Sequence, residues 1–243
     1  MTNFNDVVSQ FRIEGTVESV SPIGNGLINE TLRVKTVDAN TPDYILQRIN
    51  NAIFTDVDLL QHNIELVTDH IRHKLMEKGE TDIERKCLRF VQAKDGKTYY
   101  KDADNLYWRV SVFIPNAVTK EEVNPESAFC CGETFGNFQN MLVDLKEPLG
   151  ETIPDFHNME LRLRQLREAV SADKAGRVAS VKDMIAELES YADEMCLAER
   201  LYREGALPKR ICHCDTKVNN MMFDKDGKVL CVIDLDTVMP SFI

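Results

Sequence analysis

The stretch HCDTKVNNMMFDKDGKVLCVIDLDT, residues 213–237, sets five aspartates and two adjacent asparagines among apolar residues. His213-x-Asp215 is followed by Asn220 five residues after the aspartate, and by Asp234 fourteen residues further on. Phosphoryl transfer from a nucleoside triphosphate needs few groups: a carboxylate to orient the acceptor hydroxyl and receive its proton, and oxygen ligands to hold magnesium against the phosphates. An Asp and an Asn on one short loop can do the first job and part of the second. A hairpin then returns a second Asp to the same place. KVLCVID is an apolar strand, so Asp234 emerges at its end, at the mouth of the core, and Asp236, two residues on, can face the same way. Asp224 and Asp226 flank the Gly227 turn and read as turn residues without chemistry. His213 reads as a loop-fixing residue. H-x-D alone would be a weak signal; H-x-D-x-x-x-x-N followed by a hairpin and I-D-x-D is far more specific.

The elements that must position these groups are legible from periodicity. Residues 11–37 alternate apolar and polar twice around SPIGNG, predicting two strands joined by a glycine-containing turn. DYILQRI (43–49) is a third strand. Val57, Leu60, Ile64, Val67, Ile71 and Leu75 then recur at helical spacing, with Thr55 or Asp56 to cap the start and Gly79 the end. KCLRFVQA, the turn KDGK and NLYWRVSVFIP return to β-formers. Residues 1–115 thus read as a mainly antiparallel sheet with one inserted helix. From 116 the chain turns helical. Asn124 is an N-cap with Pro125 at the first helical position. NMELRLRQLREAV is a second helix. SVKDMIAELESYADEMCLAERLYREG is a third, with Ser180 and Asp183 as a capping box and Gly205 as its stop. The aspartate-rich hairpin follows.

Composition narrows the partners. The chain has 243 residues, 43% hydrophobic content and a formal net charge of −11. This is enough for one large domain or two lobes. Such acidity disfavours nucleic acid and anionic membranes as bulk partners. No apolar run reaches the roughly 20 residues needed to span a bilayer, and MTNFNDVVSQF lacks a signal peptide's basic start and apolar stretch. Seven cysteines without disulfide-like spacing read as reduced thiols in a cytoplasmic protein. Cys212-His213-Cys214 has the wrong spacing for structural zinc. His62, His70 and His73 share a helix without a ligating pattern. Oligomeric state is not legible.

YILQRIN, ETIPDFH, HCDTKVNNMMFD and VIDLDTVMP resemble the aminoglycoside phosphotransferase-like kinases, and within them the N-acetylhexosamine 1-kinases. The resemblance runs along essentially the whole chain. It implies an α+β, bilobal, protein-kinase-like fold: a nucleotide-binding lobe over 1–115 and a mainly helical catalytic lobe over 116–243. It implies ATP and magnesium as cofactors and a small-molecule sugar as substrate, phosphorylated on the anomeric hydroxyl of an N-acetylhexosamine. It also implies Asp215 as catalytic base, with Asn220 and Asp234 as magnesium ligands.

The other parts expected of such an enzyme have candidates. PIGNGLINET lies where a phosphate-covering turn belongs. Gly24 and Gly26 allow close backbone approach, and Asn29 matches a polar position that follows this turn in the wider family. No GxxxxGK[ST] is present, which argues against a P-loop enzyme. In the third strand, charge favours Arg48 as the phosphate contact, whereas register against a V-A-I-K-like strand favours Gln47; Arg48 is taken, with Glu65 on the helix as its acidic partner. The adenine is expected against the backbone from Phe113 to Pro115, with Trp108 as core packing. Asp155 and His157 could touch acceptor hydroxyls; equally, Asn158 could cap the next helix with His157 packed on it.

The chain stops seven residues after Asp236, where kinases of this fold continue into helices that wall the acceptor site. The catalytic lobe is therefore expected to lack those helices. Two alternatives stand beside the sugar kinase: a kinase for choline, homoserine or an aminoglycoside, and a truncated, catalytically silent nucleotide-binding remnant.

Overall fold

The computed structural model describes residues 3–23 and 28–243. A short helix, α1 (Phe4–Val8), precedes the first strand. β1 (Val17–Pro22) and β2 (Glu30–Thr36) form an antiparallel hairpin with a register shift between Val17 and Ser19. Of the turn that joins them, Gly24 and Gly26 lie outside the described residues. β3 (Tyr44–Ile49) pairs with β2, and the chain then enters α2 (Val57–Glu77). After a single turn, α3 (Ile83–Lys86), come β4 (Phe90–Val91), β5 (Tyr100–Lys101) and β6 (Tyr107–Val112). The sheet order is β1-β2-β3-β6-β4, with β5 also on β6, every pair antiparallel. The expected antiparallel sheet with one helix inserted after its third strand is what this chain forms.

Alternation divides the sheet into two faces. Leu32, Val34, Tyr44, Leu46, Trp108 and Val110 point towards α1 and close over Val7, Val8 and Phe11 in a small core. α1 was not foreseen, because five residues are too few to show a helical period. Gln47, Ile49 and Arg109 point the other way, towards α2. Asp56 caps α2 by accepting from the Leu59 N–H, and Gly79, at φ 68°, ends it. The periodic positions Leu60, Ile64 and Val67 are completely buried, each contributing about 1.5–3 kcal/mol over an exposed position. They belong to a larger core with Phe138, Leu142, Val218, Met221, Phe223 and Val238, so α2 packs against the second half of the chain.

That half begins with α4 (Pro125–Met141), where Asn124 and Ser127 form a reciprocal capping box. α5 (Met159–Ala172) is capped by Asn158. The long helix expected next is instead three pieces: α6 (Lys182–Ser190), α7 (Ala192–Met195) and α8 (Leu197–Arg203). ψ rises out of the helical range to 1° at Tyr191 and 4° at Cys196, which breaks the hydrogen-bond ladder twice. Only Ala192 is buried in these pieces, so no core contact holds one straight helix together. The Ser180/Asp183 capping box does not form; Ser180 Oγ donates to the Arg177 carbonyl, and α6 has no side-chain cap. Gly205, at φ 75°, does terminate α8.

Two small ribbons complete the chain. β8 (Met221–Phe223) and β9 (Val229–Val232) form the expected hairpin around Gly227. β7 (Arg210–Cys212) pairs antiparallel with β10 (Met239–Ser241), which alternation alone does not announce.

Candidate active site

The site is assembled where β7, the β8–β9 hairpin and the turn after β9 converge. β7 delivers His213, which is fully buried. Its Nε2 lies 2.9 Å from the Ile233 carbonyl, and its ring meets Phe135 and Phe138 edge-on at 5.0 and 5.8 Å. Burial lowers its pKa, so the ring is neutral. With Nε2 donating to a carbonyl, Nδ1 is the acceptor for the Asp215 N–H at 3.3 Å. Thr237 Oγ1 donates to the His213 carbonyl at 2.7 Å. His213 therefore stitches its own loop to the segment around Asp234, the structural role expected of it.

Cys214, at φ 61°, turns the chain so that Asp215 enters the cleft. Asn220, on a buried 3-10 turn, donates through Nδ2 to the Asp215 carbonyl at 2.9 Å and to Asp215 Oδ2 at 3.0 Å. The Ile233 N–H donates to the Asn220 carbonyl at 2.9 Å, which sets the residue before Asp234 beside Asn220. Asp234 is itself in the left-handed region, φ 59° and ψ 57°, a conformation Asp tolerates better than most residues. As a residue Asp234 is exposed at the cleft mouth. The protein walls around it, then the charges of Asp236 and Asp215, push its pKa up to about 6, against the lowering influence of Arg109. The structure thus brings together Asp215, Asn220 and Asp234. Lys217 joins them, its Nζ 2.7 Å from Asp215 Oδ2; sequence reasoning passed over it, although its place two residues after the aspartate was visible.

Asp236, expected to face the same way as Asp234, is instead buried. It is 3% exposed and lies at the centre of a polar chain that crosses from the sheet to this turn. Asn29 Nδ2 donates to Asp236 Oδ2 at 2.7 Å, and Asn29 Oδ1 accepts from the Asn50 N–H. Arg109 Nη1 lies 2.6 Å from Asp236 Oδ1, both side chains almost wholly buried. Arg109 also donates through Nε to Gln47 Oε1 at 3.0 Å and through Nη1 to Gln61 Oε1 at 3.4 Å. Thr152 Oγ1 donates to the Asp236 carbonyl.

Arg48 is not brought to this group. It sits opposite Trp108 on the α1 side of the sheet and pairs with Glu30 at 2.8 Å, half-exposed. Gln47 is the β3 residue that faces the cleft. Glu65 does not meet Arg48 and accepts from Thr98 Oγ1. The Phe113 N–H is already committed to the Asp43 carbonyl at 2.9 Å, and its ring lies under the Arg33 guanidinium. Ile114 and Pro115 follow it out of β6. Asp155 and His157 line a cavity of about 60 Å3 with Cys214, Lys209 and Phe242. Asp155 also accepts from Asn158 Nδ2, Asn158 caps α5, and His157 stacks on Phe156. Trp108 is core, its Nε1 donating to Asp102.

Among the described residues no group of three or more His, Cys, Asp or Glu is placed to hold a metal ion, and no helix is long and apolar enough to cross a membrane.

Residues 19–243 match the phosphotransferase enzyme (APH) family. The chain belongs to that family. Solved structures with the same fold include an aminoglycoside phosphotransferase from Alicyclobacillus acidocaldarius, 16% identical with a TM-score of 0.56 over 99% of this chain and 68% of that one. An amicoumacin kinase in complex with AMP-PNP, Ca2+ and Ami is 14% identical, with a TM-score of 0.58 over 98% of this chain and 64% of that one. An ethanolamine kinase from Plasmodium vivax is 16% identical, with a TM-score of 0.50 over 100% of this chain and 60% of that one. At these identities the likeness is one of fold, the protein-kinase-like α+β architecture that the family resemblance implied. This chain spans between 60% and 68% of the length of those three structures.

Proposed function

We propose that this protein is an ATP- and magnesium-dependent phosphotransferase that acts on a sugar hydroxyl, the anomeric hydroxyl of an N-acetylhexosamine. The observation that carries the reading is the Asn220–Asp215 pair set beside Asp234, whose carboxylate has no hydrogen-bonded partner among the described residues. Asp215, oriented by Asn220, accepts the proton of the acceptor hydroxyl. Lys217 lies where a cation can offset negative charge near Asp215.

The donor set fits magnesium. Asp234 offers carboxylate oxygens crowded by a second carboxylate, and Asn220 offers Oδ1, because its nitrogen is committed to Asp215. Two protein residues are few, but magnesium binds through few protein oxygens and keeps water and phosphate for the rest. When bound, the ion offsets the charge of the transferring phosphates. Gly24 and Gly26 cover the phosphates in this reading, with Asn29 at the end of their turn. The adenine lies along Phe113 to Pro115, using backbone groups other than the Phe113 N–H, and Asp155 and His157 face the acceptor. Burial pushes the Cys87 and Cys231 thiols up to about 12 and Cys214 to about 11. Such unreactive, unpaired thiols suit a cytoplasmic protein.

The test is turnover by the wild type and by Asp215→Asn across N-acetylglucosamine, N-acetylgalactosamine, choline, ethanolamine, homoserine and kanamycin, with nucleotide affinity measured separately. Loss of the base should lower turnover roughly 100-fold or more while ATP affinity is unchanged. Near-normal turnover in the variant would remove Asp215 from the mechanism. Activity on the amino alcohols or kanamycin alone would favour a second reading, a kinase for another small alcohol, which the likeness to ethanolamine and amicoumacin kinases supports. Nucleotide binding without turnover on any acceptor would leave a nucleotide-binding remnant.

A further inference from the structure

β3 carries no cation on its cleft face. Gln47 stands there, and the only β3 arginine, Arg48, points to the other side and pairs with Glu30. The positive charge comes instead from the next strand. Arg109 on β6 is directly opposite Gln47 in register and 2% exposed, and its guanidinium is held by Gln47 and by Gln61 of α2. It faces Asp236, which is 3% exposed. Asp236 Oδ2 is taken by Asn29, whereas Oδ1 has the Arg109 charge at 2.6 Å without a well-aligned hydrogen bond. A buried carboxylate held mainly by charge is costly to keep, and an apolar pair of similar volume often serves stability as well. Stability alone therefore does not account for this buried pair.

Connectivity points to a further role. Asn29 immediately precedes β2, and Asp236 lies two residues after Asp234. The Asn29–Asp236–Arg109 chain is thus a direct polar link between the sheet, at Asn29 and at Arg109 on β6, and the turn that carries the proposed metal-site carboxylate. We infer that Arg109 is a positioning residue that replaces the absent β3 cation from β6. It acts through Asp236 to fix the Asp234 turn against the sheet at Asn29, so that the proposed metal-site carboxylate is held in place. The inference rests on the kinase reading above, and it assigns Arg109 and Asp236 no contact with substrate.

Removing one charge alone would strand the other in the interior. The decisive variant is therefore Arg109→Gln combined with Asp236→Asn, which neutralises both while keeping hydrogen-bonding side chains. Arg109→Lys, which keeps the charge, is the conservative comparison. Melting temperature and the affinity for AMP-PNP would be measured by calorimetry with and without magnesium. The double variant should keep a melting temperature close to wild type yet lose roughly 10- to 100-fold in magnesium-dependent nucleotide affinity, the scale seen when groups that orient metal ligands are removed. Arg109→Lys should retain most of that affinity. A double variant whose affinity stays within about twofold of wild type would overturn the inference, because the loss expected for an orienting group is larger. A wild type that binds no magnesium–nucleotide would overturn the kinase reading itself, a different result.

Discussion

A single amide fixes both the main chain and the carboxylate of Asp215. Asn220 Nδ2 is 2.9 Å from the Asp215 carbonyl and 3.0 Å from its Oδ2. In the proposed reaction Oδ1 is left for the substrate proton, and this bond, with Lys217 on Oδ2, holds the rotamer that presents it. Asn220→Ala should therefore lower turnover roughly 10- to 100-fold and raise the magnesium concentration needed for half-maximal rate. Steady-state rates at varied magnesium check both. A fall in turnover with unchanged magnesium dependence would limit Asn220 to orienting Asp215.

Asp234 sits among protein walls and like charges that push its pKa up to about 6. Without a cation, its negative charge at neutral pH works against the fold. Asp234→Asn should raise the melting temperature of the nucleotide-free protein at pH 7.5 and abolish the stabilisation that magnesium gives to the nucleotide-bound wild type. Thermal scans with and without magnesium and AMP-PNP decide it. A lower melting temperature without ligands would show that Asp234 is satisfied by the protein alone.

His213 has its folded pKa depressed below the ordinary 6.5 by burial. The unfolded chain then binds more protons than the folded one over that interval, so stability is full above pH 6.5 and is lost as pH falls towards the folded pKa. The melting temperature of the wild type should drop more steeply between pH 7 and 5.5 than that of His213→Gln, which has no proton to take up. Parallel curves would mean that other groups carry the acid limb.

Asn63 is completely buried on α2. Its Nδ2 donates to the Gly150 and Val238 carbonyls at 2.8 and 3.0 Å, and its Oδ1 accepts from the Gly150 N–H. A Cβ at Gly150 would lie 2.6 Å from Leu59 Cδ1, so a larger residue there would have to push that side chain aside. Asn63→Ala strands three backbone groups and should cost about 2–4 kcal/mol. Urea unfolding measures it; a loss below about 1 kcal/mol, the scale of one ordinary hydrogen bond, would mean that water replaces the amide.

The loop from His213 to Asn220 was legible because the residues it brings together are close in sequence. Asp215 and Asn220 share one short loop, and the intervening hairpin fixes where Asp234 returns. α2 was equally plain, since its apolar residues keep a helical period over five turns. Arg109 and Asp236 were harder, for a physical reason: each belongs to a short apolar stretch, and which side of the strand faces the cleft depends on strand pairing. YILQRIN offers both Gln47 and Arg48, and charge chose the wrong face where register would have chosen the right one. An arginine inside YWRVSV, a run otherwise suited to a buried strand, was the available hint. The split of α6–α8 was not visible, because the break follows from missing tertiary contacts rather than from a breaker residue.

β7 and β10 bind the site in one further way. Cys212, just before His213, is paired with Met239, just after the Asp234–Val238 turn. Asp215 and Asp234 therefore ride on the same jaw, tied again by Thr237 to His213. If the sheet hinges away to admit a nucleotide, the spacing of the two acids is preserved. What changes is the reach across the cleft, which the Asn29–Asp236 hydrogen bond and the Arg109–Asp236 ion pair both span.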